Sequence, residues 1–137
     1  MTDGRAMTAW VVLRAVPLAF AWLALALQIV LGAVWAVGGV GDPVVYEAKG
    51  DAVRAFSGTT TFFVALFAAI VLSQARARPR WTAVRLVGAV GLLVIVGLVG
   101  DLVLGRVFGV VFFAIVNIPV LLTAAMLALG AGPRAAT

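Results

Sequence analysis

Arg76-Ala77-Arg78-Pro79-Arg80, with Arg85 one turn further on, packs four of the chain's ten basic residues into ten positions. Uncharged runs flank it: Ala55–Ala75 before it, and the stretch between Arg85 and Asp101 after it. Such a stretch reads as a tight basic turn between two apolar hairpins. A spanning helix needs about 20 predominantly apolar residues. Ala15–Gly41 supplies 27 without a charge, and Ala55–Ala75 supplies 21. The run between Arg85 and Asp101 is shorter. It suffices if Arg85 reaches back to one interface and Asp101 lies near the other. A fourth run starts at Val107 and contains Asn117 and Pro119.

The expected fold is therefore all-α and membrane-embedded. Four transmembrane helices, at about 12–37, 56–75, 82–103 and 107–129, form two antiparallel hairpins in one domain. Composition agrees. The chain has 137 residues, 65% hydrophobic and 11% charged, with mean hydropathy +1.23, whereas a soluble domain carries roughly 25% charged residues. A cleaved leader would have an apolar region of only about 7–15 residues, so the first run reads as a span. The preponderance of Arg over Lys, with abundant Ala, Val, Gly and Leu, resembles the usage of a GC-rich bacterial genome.

Punctuation between the runs is clear. Gly38-Gly39-Val40-Gly41 ends the first helix, since repeated glycine favours chain reversal. Asp42-Pro43 has the form of an N-cap followed by proline at the first helical position. Residues 42–55 are expected to form a short amphipathic extracytoplasmic segment, broken at Gly50, between helices 1 and 2. Met1–Arg14 reads as a polar lead. Gly32 and Ala36 have the small-xxx-small spacing that lets helices approach in lipid. Gly88, Gly91, Gly97 and Gly100 predict that the third helix is the most closely packed.

Positive residues accumulate on the cytoplasmic side of a membrane. The lead carries +1, the 73–85 turn +4 and the tail +1, while segment 38–58 carries −1. The expected location is the cell membrane, multi-pass, with both termini cytoplasmic.

The chain contains no cysteine and no histidine. Disulfides, thiolate or imidazole metal sites, and cysteine or histidine catalysis are excluded. No glycine-rich phosphate loop, Asp-x-x-x-Asp pair or arginine-rich voltage-sensing array is present. No cofactor or metal is expected. Membrane anchoring accounts for the basic turn, so nucleic acid is not an expected partner. Proton chemistry falls to Asp3, Asp42, Glu47, Asp51, Asp101, Tyr46 or Lys49.

With the Arg76–Arg80 turn cytoplasmic, most intramembrane polarity falls in the opposite half. Gln28 lies in the outer half of helix 1, Thr59–Thr61 at the outer end of helix 2 and Asp101 at the outer end of helix 3. Asn117 comes about 16 Å inward along helix 4. Ionisable groups in spans are costly and raise a functional hypothesis. Asp101 and Glu47 are the candidate catalytic residues. Asn117, Gln28, Thr60 and Tyr46 are the candidate substrate contacts. Each has a structural alternative. Asp101 can pair with Arg106 across the reversal, Glu47 can balance Lys49, and Asn117 and Gln28 can join helices. Trp10 and Trp81 suit an interfacial belt, while Trp22 and Trp35 are expected to face the bilayer rather than a pocket.

Three functions compete. The first is a protein with an outward-facing polar pocket handling a lipophilic small molecule, extending to a metal-free acid/base enzyme (isomerase, cyclase or epoxide-opening) acting on a lipid or isoprenoid. The second is a non-catalytic accessory subunit of a larger membrane complex. The third is a small transporter working as a homo-oligomer.

Overall fold

The structure is a computed structural model. It describes residues 2–37, 48–105 and 107–135, with side chains at 15–37, 53–103, 105 and 107–130. Five helices follow in order: α1 (Thr2–Val37), α2 (Ala48–Leu72), α3 (Pro79–Leu104), α4 (Phe108–Val116) and α5 (Ile118–Ala135). The described residues include no strand. Ala15–Val37, Val53–Leu72 and Pro79–Val103 are each long and apolar enough to cross a membrane. The pair α4–α5 passes the same test jointly, bent by 44° at its break.

Two boundaries differ from the expectation. The lead is not a separate segment, because α1 is helical from Thr2. Residues 48–55 join α2 without a break at Gly50, since one glycine costs a helix only about 1 kcal/mol. Residues 42–47 of the expected amphipathic segment lie outside the described residues.

The end of α2 and both ends of α3 have local causes. After Leu72 the chain tightens into short turns, with Gln74 N–H on the Val71 carbonyl (3.0 Å) and Ala75 N–H on the Leu72 carbonyl (3.1 Å). Pro79 then opens α3, where its missing N–H is no loss. Gly105 closes α3 in the left-handed conformation, at φ 68°.

The break between α4 and α5 follows from Pro119. Proline cannot donate to the Ile115 carbonyl four residues back. The Asn117 N–H takes that carbonyl instead. This leaves the Phe113 carbonyl, which accepts a hydrogen bond from the Asn117 side-chain Nδ2 (2.9 Å). The freed backbone groups are thus satisfied locally, as a lipid environment demands.

α1 packs on α2 and α5, and α3 packs on α2, α4 and α5. The core is built from small residues and a few larger ones: Ala21, Ala24, Ala68, Ala83, Ala89 and Ala124 around Leu25, Val71, Leu86 and Val120. Glycines bring two helix pairs into backbone contact. A Cβ on Gly32 would stand 2.6 Å from the Phe62 nitrogen, and one on Gly58 would stand 2.4 Å from the Ala36 nitrogen. α1 and α2 therefore touch through the predicted Gly32/Ala36 face. A Cβ on Gly97 would stand 2.6 Å from the Gly109 carbonyl, joining α3 to α4. Close approach of α3 through glycine is confined to this end, while Ala83, Leu86, Ala89 and Leu93 bury the rest of its inner face. Gly88 and Gly91 have nothing within 4 Å of a built Cβ and face outward.

The outside is apolar all round. Leu23, Val30, Phe63, Ile70, Val84, Ile95, Ile115 and Leu129 are all more than half exposed. Patches of this extent are not left bare in soluble monomers. They suit a protein whose solvent is lipid.

Candidate functional site

At the end of the bundle away from the arginine turn, α1, α2, α3 and α4 enclose a cavity of about 90 Å³. Its walls include Trp35 of α1, Arg54 and Ser57 of α2, Gly97, Gly100 and Asp101 of α3, and Phe108, Phe112 and Phe113 of α4. About 22 Å of helix separates Ser57 from the turn that follows Leu72.

Two charged side chains in this wall bind helix backbone. Val107 precedes α4 and has no side-chain acceptor for the first N–H groups. Asp101 supplies it from the neighbouring helix. Its Oδ1 accepts the Gly109 N–H (2.7 Å) and its Oδ2 the Val110 N–H (2.9 Å). A carboxylate at that position also meets the positive end of the helix dipole. Gly109 permits the approach, since a Cβ there would stand 2.9 Å from Oδ1. Arg54 Nη1 donates to the Trp35 carbonyl, in the last described turn of α1.

The aromatic side forms a continuous group. Phe112 stacks with Phe108 (centroids 5.7 Å, 22°), meets Phe113 edge-on (5.2 Å, 75°) and lies 6.0 Å from Trp35. One wall is thus aromatic, and Arg54, Ser57 and Asp101 make the other polar. Asp101 is only 5% exposed.

The remaining expected site residues sit elsewhere. Gln28 and Asn117 are fully buried and bound to each other, not to the cavity. Gln28 Nε2 donates to Asn117 Oδ1 (2.8 Å), and Asn117 Nδ2 donates to Gln28 Oε1 (2.9 Å). Their second donors go to the Ala24 carbonyl (3.1 Å) and the Phe113 carbonyl (2.9 Å). Every amide hydrogen of the pair is used. Thr60 is half-buried and does not line the cavity. Its neighbour Thr61 is fully buried with no hydrogen-bond partner for its hydroxyl. Glu47, Tyr46 and Arg106 lie outside the described residues, and so does any pairing of Arg106 with Asp101.

Trp35 was expected to face the bilayer and instead lines the cavity. Arg54 and Ser57, not singled out as site residues, line it as well. Arg54 carried a sequence signal, being the cation of segment 38–58 nearest the uncharged run of α2. The described residues bring no three metal-ligating side chains together. No protein-family model, no curated protein and no solved structure matches the chain.

Proposed function

We propose that this chain is a four-span membrane protein that binds a lipophilic small molecule by its polar end, in the cavity beside Asp101. The two hairpins meet at the Arg76–Arg80 turn. The lead, that turn and the tail lie in the cytoplasm, and the cavity opens to the other side. The charge distribution along the chain supports the orientation. The broken helix α4–α5 serves as the fourth span.

One observation carries the reading: a single cavity joins an aromatic wall to a wall bearing Arg54, Ser57 and Asp101. Pockets of this kind use apolar lining for affinity and a few polar groups for orientation. Volume defines what enters. At about 90 Å³ the cavity is smaller than the roughly 150 Å³ cavity that holds benzene. It takes a hydroxyl, carbonyl, epoxide or short branched end, while the hydrocarbon chain stays in the bilayer. Trp35 near the end of α1 and Val53 near the start of α2 both line the cavity, and the segment joining these two helices carries Tyr46 and Glu47. Asp101 and Glu47 are the groups that would supply acid/base chemistry.

Gly100 provides the test. A Cβ there meets Ser57 Oγ and Val53 Cγ1 at 3.7 Å, an ordinary contact, so Gly100→Leu fills the cavity while Gly100→Ala spares it. Native mass spectrometry of protein purified in mild detergent, supplemented with a long-chain alcohol, should show that alcohol retained by wild type and by Gly100→Ala and lost from Gly100→Leu. Equal retention by all three refutes the site. Conversion of a retained lipophile by wild type but not by Asp101→Asn adds catalysis to binding.

The outward-facing Gly88 and Gly91, flanked by exposed Val84 and Ile95, favour a second reading, an accessory subunit that presents a flat helix face. A stoichiometric partner that co-purifies with wild type and is lost from Gly88→Leu would establish it.

A further inference from the structure

The arginine turn has a geometry that anchoring alone does not require. Arg76, Arg78, Arg80 and Arg85 are all exposed. Arg78 and Trp81 bracket the start of α3, with Arg85 one turn on, so the three share one helix face. The Arg85 guanidinium lies 4.2 Å from the centroid of the Trp81 ring, and that of Arg78 lies 5.6 Å from it. Trp81 is half-buried against the core. A fixed indole thus holds two guanidinium groups at the membrane boundary. Cation–π contact orients them, and it leaves their N–H edges available to an acceptor. Arg85, which starts one turn deeper, is turned back along α3 toward the interface, the direction helical side chains favour.

Among the described side chains no anion faces this cluster. Among the described side chains Asp101 is the one carboxylate, and it lies about 24 Å along α3 from Arg85. Four exposed cations, two of them oriented on one indole and with no described carboxylate beside them, suit anions supplied by the lipid itself. We propose that Arg78, Arg85 and Trp81, with Arg76 and Arg80 beside them, form a binding site for the phosphodiester headgroup of an anionic phospholipid. The guanidinium fork matches phosphate oxygens in pairs. The indole, at home at the interface, seats the glycerol end. This site rests on the membrane reading and is independent of the cavity at the other end of the bundle.

The full chain, placed in phosphatidylcholine nanodiscs, is titrated with phosphatidylglycerol or with further phosphatidylcholine. Binding is read by the emission of Trp81 in a chain whose other three tryptophans are phenylalanine, and by native mass spectrometry. Phosphatidylglycerol should bind selectively, and Arg78→Gln/Arg85→Gln should weaken it about fivefold per arginine, the effect of about 1 kcal/mol for each cation at an anionic surface. Equal binding of the two lipids, or an unchanged affinity in the variant, overturns the site. Displacement of phosphatidylglycerol by millimolar inorganic phosphate also overturns it, by showing a soluble anion as the occupant. Failure of the chain to enter the nanodiscs would refute the membrane reading as a whole. Entry without lipid preference refutes this site alone.

Discussion

Removing one half of the Gln28–Asn117 pair should destabilise the bundle more than its size suggests. Asn117→Leu deletes two side-chain hydrogen bonds to Gln28 and the cap on the Phe113 carbonyl. It leaves a fully buried amide with a vacant acceptor and a donor lacking its partner. Leaving such groups unpaired costs about 1–3 kcal/mol. Gln28→Leu strands the Asn117 amide in the same way. Hydrogen bonds between helices in membranes average about 0.6 kcal/mol and reach about 1.7, so the two bonds predict a coupling of about 1.2 to 3.4 kcal/mol. The double variant should lose that much less than the sum of the single losses, because the second substitution removes a group already orphaned. Reversible unfolding by dodecyl sulfate in mixed micelles, followed by helical circular dichroism, measures all four proteins of the cycle. Single losses that add to within about 0.5 kcal/mol, the margin for independent sites, would refute the pairing. The coupling bears on the cavity too, because the pair sits where α4 bends and α4 carries Phe108, Phe112 and Phe113 into the wall.

Three other outcomes follow from the packing. Gly97→Ala should destabilise by about 1–3 kcal/mol through overpacking against the Gly109 carbonyl, whereas Gly88→Ala, with open space around it, should be neutral or stabilise by up to about 1 kcal/mol; the same unfolding assay separates them. Asp101→Ala should cost about 0.5–2 kcal/mol as the loss of a helix cap, and Asp101→Asn, which keeps one acceptor oxygen, should cost less; equal stability of all three proteins would remove Asp101 from its role at the start of α4. Gly58→Ala should lower the unfolding midpoint, since its Cβ would meet the α1 backbone at Ala36, and an unchanged midpoint would refute the backbone contact between α1 and α2.

The long apolar helices were legible in the sequence because lipid imposes a simple requirement, about 20 residues without charge. The bend at Asn117 has a sequence cause as well, since Pro119 removes a donor wherever it stands in a helix. What stayed hidden was lateral. A helix that is apolar on every side carries no periodicity to say which face turns inward, so Trp35 read as lipid-facing when it lines the cavity. Gln28 and Asn117 are 89 positions apart, and each alone suits a ligand as well as a partner helix. Asp101 drew attention as a charge in a span, but its partners at Gly109 and Val110 are backbone N–H groups. Those have no residue signature. Arg54 was masked by the loop charges around it.

The central claim is that the cavity faces the side of the membrane opposite the arginine turn. The chain has no cysteine, so single cysteines can be placed without background. A membrane-impermeant thiol reagent, added outside intact cells, should label Ser57→Cys in the cavity wall. Ala77→Cys in the turn should be labelled only after the membrane is opened. Labelling of Ala77→Cys from outside, with Ser57→Cys reached only from within, would contradict the account.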